Sequence, residues 1–334
     1  MAPLPRGIRR APALGRIRRT LLVALVTAAV TVPVAGAARP ADVPAPAPAA
    51  AAPLTSSEPT ALAAELTARY AAGRAAVRAA ERTAEAYGAH RRAASLHRMA
   101  APGRQFLSFD GRDGGRSAEV VGDLARADLI AVLVPGADTG LDAYDRFHRG
   151  ATALHDTVRR QTGRRVAVVA WLGYRTPATG SAASLTPGRA AQAAPRLRAL
   201  ARELIRIRPG ARITLLGHSY GSVVCAHAAA GLPVAAVVLY GSPGTGFDRV
   251  AELRTRAAVW AGRAADDWVG SVPPVRVPLL PGTELGFGTD PVDPAFGART
   301  FAAGDGGHSD YLVPGSVPLR NLAAITAGKE PSRA

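Results

Sequence analysis

The sequence predicts an α/β protein: a mostly parallel central sheet with helices on both faces, preceded by an Ala/Arg-rich helical segment. Three observations carry this. Apolar runs without polar alternation, such as Leu129–Val134 (LIAVLV), Val166–Trp171 (VAVVAW) and Val234–Tyr240 (VAAVVLY), read as strands buried on both faces. Helical periodicity fills the stretches between them, most clearly over Ala194–Arg208, where Leu197, Leu200, Leu204 and Ile207 share one face. The third is a glycine-flanked serine, Gly217-His218-Ser219-Tyr220-Gly221, between a strand-like and a helix-like run.

Taken in order, the chain opens on the basic stretch Met1–Thr20, with Arg6, Arg9, Arg10, Arg16, Arg18 and Arg19 and no acid. The apolar run Leu21–Ala35 and the small residues Ala35-Gly36-Ala37 complete the pattern of an export signal, assigned to residues 1–37. The run is short for a membrane span, which needs ~20 residues, and Pro33 interrupts it; an uncleaved signal anchor is the alternative. A secreted or cell-envelope location follows. Residues 38–54 alternate Ala and Pro, a composition that favours extended chain and reads as a spacer. Residues 55–104 form a helical segment opened by Ser56-Ser57-Glu58-Pro59, with Leu62, Leu66 and Tyr70 at helical spacing. It either docks on the body or forms a stalk. His90 and His97 have no ligand types beside them and are expected at the solvated surface.

Residues 105–334 make the α/β domain. Phe106–Phe109 and Glu119–Val121 are short strand candidates around a Gly-rich turn, and Leu141–Gln161 is a helix. Arg212–Leu216 leads into the Gly-Ser turn, Val223–Ala230 suits the helix after it, and Ala257–Ala261 is a late strand. In such a sheet a ligand sits beyond the carboxyl ends of the strands.

At those ends the chemistry-bearing residues collect. A G-x-S-x-G between strand and helix is a nucleophile elbow, whose glycines let backbone approach closely and whose strained serine stands clear of the sheet. Ser219 is therefore the candidate nucleophile. After Leu129–Val134 comes Pro135-Gly136-Ala137-Asp138-Thr139-Gly140, a turn able to offer an N–H to an oxyanion. Ala137 is assigned that role, Asp138 being the next choice, and Tyr220 supplies the second N–H. After the late strand stand Asp266 and Asp267, and His308 follows in a glycine-rich loop before the last helix. The order Ser219, acid, His308 is that of an α/β-hydrolase triad. Asp267 is preferred as the acid because its Asp-Trp-Val tail fits an Asp-x-apolar pattern, with Asp266 as the alternative.

The segments VLVPGADTG, VVAWLGY, TLLGHSYGS, VVLYGSPG, AAVWAGRAADDWV, DPAFGARTF and GHSDYL together resemble an actinobacterial family of α/β-hydrolase-like proteins, known as a domain of unknown function. The likeness spans Gln105–Ala327, and the GHSYGS elbow with the late GHS is its most specific part. It implies the α/β-hydrolase fold and a Ser-Asp-His triad carried by Ser219, one of the paired acids and His308. It implies no substrate.

The reading is a serine hydrolase acting on a small-molecule or lipid-like ester or thioester in or near the cell envelope. Two alternatives stand beside it: a non-catalytic binding module on the same scaffold, and an amidase or peptidase with the same triad. Leu172–Pro187, rich in small residues, is expected to line the cleft. No cofactor is expected, and no metal: Glu284, Asp290 and Asp293 lack a calcium-loop spacing and read as solvated loop acids. The net charge of +16 is nearly all arginine, Lys329 being the only lysine, and is spread without a basic–aromatic stripe. Nucleic acid is accordingly not an expected partner, a polyanionic surface being the weaker alternative. Cys225, the only cysteine, lies in the apolar elbow helix and reads as a buried hydrophobe.

Overall fold

Ten strands form in the computed structural model, which describes residues 43–48, 50–280 and 283–333. They are β1 (Gln105–Asp110), β2 (Arg116–Gly122), β3 (Leu129–Val134), β4 (Val166–Leu172), β5 (Arg212–His218), β6 (Ala236–Tyr240), β7 (Ala258–Gly262), β8 (Arg276–Leu280), β9 (Thr283–Gly286) and β10 (Arg299–Thr300). Eight of them join one sheet in the order β1-β2-β4-β3-β5-β6-β7-β10. From β4 to β10 all pairings are parallel, while β1–β2 and β2–β4 are antiparallel. The expected mostly parallel sheet is thus present, with an antiparallel edge. The expected export segment, residues 1–37, lies outside the described residues.

The helices are α1 (Pro59–Ala86), α2 (His90–Met99), α3 (Tyr144–Thr162), α4 (Gly188–Ile207), α5 (Tyr220–Ala228) and α6 (Val317–Ala327). Because successive strand side chains alternate, β3 sends Leu129, Ala131 and Leu133 to one face and Ile130, Val132 and Val134 to the other. The first face packs on Leu154 and Val158 of α3 and on Leu319, Leu322 and Ile325 of α6. The second packs on Leu197, Ala201 and Leu204 of α4 and on Val223 and Val224 of α5. All six residues of β3 are buried, which explains why its sequence carries no polar alternation.

The N-terminal helical segment docks rather than standing off. Along α1, Leu62, Leu66 and Tyr70 join the second face's core, and Val77, Ala80 and Ala84 pack with α2, Phe106 and Phe109. Gly73 marks the crossing: a Cβ there would lie 2.5 Å from the Phe106 carbonyl oxygen. The expected spacer also needs correcting. Where described, it runs against the body without helix or strand, burying Leu54 and packing Val43 and Ala45 beside the α1–α2 core. Its composition favours an extended backbone, and in the described part Leu54 is buried while Val43 and Ala45 are partly covered.

Several boundaries differ from expectation. The α4 helix starts at Gly188, with Pro195 inside it rather than at its opening. The elbow helix begins at once after Ser219, and the helix at Leu141 opens with one 3-10 turn, Leu141–Ala143. The β8–β9 hairpin and two-residue β10 were not expected at all. Among the described residues no helix is long and apolar enough to cross a membrane.

Candidate active site

The chain runs from β3 outward to β4, then back past β3 to β5 and on to β6 and β7. The loops leaving the carboxyl ends of β3 and β5 therefore diverge and leave a crevice between them. Ser219 sits there, with φ 51° and ψ −125°, a strained conformation for a residue with a side chain. Gly217 and Gly221 make the turn feasible. A Cβ on Gly217 would lie 2.5 Å from the Gly221 carbonyl oxygen, and one on Gly221 would lie 2.3 Å from that of Val134.

Three distant segments meet at the serine. Ser219 Oγ lies 2.9 Å from His308 Nε2, and His308 Nδ1 lies 2.8 Å from Asp267 Oδ1. A carboxylate only accepts, so Nδ1 carries the proton it donates, and the neutral ring's Nε2 is left to accept the serine hydroxyl. Asp267 accepts two further bonds: Tyr311 Oη donates to its Oδ2 at 2.6 Å and the Val269 N–H donates to its Oδ1 at 2.9 Å. Burial alone raises the Asp267 pKa, but the bonds from His308, Tyr311 and Val269 outweigh it and hold the carboxyl below its usual range. Asp266, the residue before it, is exposed. Of the paired acids, the structure brings Asp267 to His308.

The turn after β3 passes directly under the nucleophile. A Cβ on Gly136 would lie 2.7 Å from Ser219 Cβ and 3.2 Å from its Oγ, so the Ala137 amide follows one residue from the reacting oxygen. Asp138, the second choice, is excluded as a donor because its N–H goes to the Pro177 carbonyl at 3.0 Å. Its carboxylate accepts the Thr179 N–H at 3.0 Å, and Tyr174 Oη donates to the Pro135 carbonyl at 2.6 Å. The Leu172–Pro187 loop is thereby fastened to the β3 turn. Tyr220 Oη ties the same loop to the elbow, donating to the Thr186 carbonyl at 2.8 Å and accepting from the Ala190 N–H at 3.2 Å.

Two supporting residues escaped the sequence. His218 Nε2 donates to the His308 carbonyl at 2.8 Å, and the two rings lie 4.7 Å apart. Through that bond it braces the loop that carries His308. Desolvation, then the nearby His308, push its pKa down to about 3, against the bond to the carbonyl and the Asp267 charge. Tyr311 is the second: its oxygen also accepts the Ala264 N–H at 3.0 Å, joining the acid's loop to the histidine's. The pattern of a histidine before the serine was visible, whereas nothing in the spacing singled out Tyr311.

The remaining candidates fall elsewhere. His227 is packed on Phe247, with ring centroids 4.8 Å apart. His90 and His97 have exposed side chains. Burial pushes the Cys225 thiol up, which keeps it protonated. Asp290 pairs with Arg263, Asp293 Oδ1 caps a short turn through the Ala295 N–H at 2.8 Å, and Glu284 lies 3.7 Å from Arg276. Asp290 is thus half-buried against its partner, whereas Asp293 is exposed, as expected of a loop acid. Among the described residues no three metal-ligating side chains come together. A separate groove of about 770 Å³ opens between α1 and α4, lined by Arg69, Arg196, Arg202 and Arg206, and none of the candidate residues lines it.

With this geometry in hand, the model of a family described as "Alpha/beta hydrolase" matches residues 110–277, half of the chain. The chain belongs to the α/β-hydrolase family. An uncharacterized protein of Mycobacterium tuberculosis is 28% identical to this chain over 253 residues, 66% of this chain and 38% of its own. Another, from Mycobacterium bovis, is 32% identical over 168 residues, 46% of this chain and 63% of its own. The chain thus spans little more than a third of the first of these relatives. Among solved structures, an α/β serine hydrolase without lid from Xanthomonas campestris is similar at TM-score 0.41 and 19% identity, over 68% of this chain and 95% of that one. Esterase LipW of Mycobacterium marinum is similar at TM-score 0.40 and 17% identity, over 75% and 88%.

Proposed function

We propose that this α/β hydrolase is a serine esterase, cleaving a carboxylic ester or thioester through Ser219, His308 and Asp267. The observation that carries this is the unbroken relay from Ser219 Oγ to His308 Nε2 at 2.9 Å and from His308 Nδ1 to Asp267 Oδ1 at 2.8 Å. In the reaction Ser219 Oγ bonds to the acyl carbon while His308 takes its proton. The carbonyl oxygen becomes an oxyanion facing the N–H groups of Ala137 and Tyr220. As the intermediate collapses, His308 returns the proton to the leaving alkoxide or thiolate, and the acyl group stays on Ser219. Water then repeats the sequence, releasing the carboxylic acid and restoring the serine. Asp267 keeps the imidazole in the required tautomer and stabilises the imidazolium.

The ligand proposed for the crevice beside Ser219 and the Leu172–Pro187 loop is a small-molecule or lipid-like acyl compound, and a panel of esters of increasing acyl length tests it. The domain boundaries at 37, 54 and 104, and export to a secreted or cell-envelope location, rest on the sequence pattern. They are tested by finding the mature N-terminus near Ala38 outside the cytoplasmic membrane. For the chemistry, a fluorophosphonate probe should label wild-type protein, and Ser219→Ala should abolish labelling while leaving circular dichroism unchanged. Ester turnover should fall ~10⁴–10⁶-fold. A wild type that is neither labelled nor active would sink the esterase reading.

A further inference from the structure

Trp268 is the one tryptophan left in solvent: it is 53% exposed, whereas Trp171 and Trp260 are buried. Its indole lies 4.9 Å from the His308 imidazole, centroid to centroid, with the planes 53° apart. Its backbone is not free to wander. Trp268 opens a 3-10 turn capped by Asp267, whose Oδ1 accepts the Val269 N–H at 2.9 Å. The carboxylate that orients His308 thus also fixes the residue carrying the indole. A large apolar ring held half in water beside the imidazole gains free energy when an apolar group covers it.

The reaction decides what that would be. His308 hands its proton to the leaving-group oxygen, so that oxygen must come within hydrogen-bond reach of Nε2, about 3 Å. The group attached to the oxygen therefore passes beside the imidazole and the surface next to it. The acyl group, bonded to Ser219, is held on the serine instead. A surface beside the imidazole contacts the alcohol half of the ester, and only until the alcohol leaves.

We propose that Trp268 is the platform for the leaving group and selects esters of flat, apolar alcohols, aromatic ones above all, over those of small alcohols. This rests on the esterase reading of the same site. An aromatic alcohol stacks on or edges against the indole, an arrangement aromatic pairs favour beyond the area they bury. A methyl or ethyl group is too small to cover it.

The test compares wild type, Trp268→Ala and Trp268→Phe on ethyl, benzyl and 2-naphthylmethyl acetates, which share one acyl group. Each ester is judged by its variant-to-wild-type ratio, which cancels intrinsic reactivity. Trp268→Ala should lower kcat/KM about 10-fold for the two aromatic esters, chiefly through KM, and leave ethyl acetate nearly unchanged. Trp268→Phe should restore most of the loss. Deacylation of the common acetyl-enzyme, measured after the alcohol has departed, should be the same in all three. An equal loss on every ester, or slowed deacylation, would mean that Trp268 only props His308, and no loss on any ester would remove it from recognition; either overturns the proposal. A second arm needs no turnover. In Ser219→Ala protein, 2-naphthalenemethanol should bind, and adding Trp268→Ala should weaken that binding about 10-fold. Equal binding with and without the indole overturns the proposal. If wild type hydrolyses no ester, the esterase reading fails, and this binding comparison still decides the platform.

Discussion

Asp267 and Glu119 are both carboxylates with almost fully buried side chains, and they are held in opposite ways. Glu119 lies on β2, at the antiparallel edge. It grips the Arg104 guanidinium through both oxygens and has His148 Nδ1 at 3.2 Å. Burial raises its pKa, and the bonds from His148 and Arg104 with the Arg104 charge more than reverse that. Asp267 is also held low, but by an imidazole, a phenol and an amide, none of which carries a permanent charge. The difference separates structure from chemistry. Arg104 answers the charge of Glu119 permanently, and the pair joins the edge to the helices packed on it. On the proposed mechanism, the charge of Asp267 is answered in full only when His308 becomes imidazolium.

The comparison is broken most directly at Asp267. Asp267→Asn should cut ester turnover ~10⁴-fold, because an amide can donate to Nδ1 and hold the wrong tautomer. Asp266→Asn, at an exposed position, should stay near wild type. Steady-state kinetics on one activated ester read both. Equal losses would mean that the acid's role is shared.

At the edge the expected cost is to folding. Arg104→Met leaves Glu119 buried without its cation, and should lower the unfolding free energy by ~3–5 kcal/mol in urea titrations. Its guanidinium also lies 5.7 Å from the Phe106 ring and 5.9 Å from that of Tyr144, contacts the methionine replaces only in part. Activity of the folded fraction should change little, because the site lies at another part of the sheet. A large fall in kcat would show that the edge is not merely structural.

Tyr311→Phe tests the acid's support. It removes one bond to Asp267 and leaves the Ala264 N–H without its acceptor, a loss of ~1–3 kcal/mol in stability. Turnover should fall by roughly tenfold, far less than in Asp267→Asn, since the bond to Nδ1 stays. A loss equal to that of Asp267→Asn would mean that Tyr311 alone sets the carboxylate's position.

Much of this was legible in the chain. β3 appears with the limits its apolar run sets, since a strand buried on both faces has no polar position to blur it. Ser219, Asp267 and His308 could be named because each follows a recognisable strand or precedes the last helix. What the sequence hid is of two kinds. The β8–β9 hairpin carries Pro278, and β10 is only Arg299–Thr300, so neither offers a periodic pattern. Tyr311 and His218 act through contacts across loops, and the bond from His218 to His308 joins positions ninety residues apart. The helix expected from Ala194 begins at Gly188, and Pro195 lies inside it.

The smallest expected effect concerns His218, and its sign follows from linkage. An ordinary histidine titrates near 6.5, while the folded ring of His218 is pushed down to about 3. Between those values the unfolded chain binds a proton that the native protein does not, so stability falls as pH drops through that window. Asp267 and Glu119, whose folded pKa values are lowered, act in the same direction: their contribution is present above the ordinary carboxylate range and is lost on acidification. Both are retained in His218→Gln, so comparing that variant with wild type cancels them. Glutamine keeps a neutral N–H donor for the His308 carbonyl and does not titrate. Urea unfolding between pH 6 and pH 4 should therefore show a shallower loss of stability in His218→Gln. The difference in slope should approach one proton, ~1.4 kcal/mol per pH unit. Parallel slopes would mean that His218 takes up its proton in the folded state. The brace on His308 would then not depend on a neutral ring, and the difference between a permanently paired edge and an uncharged catalytic frame would lose its second support.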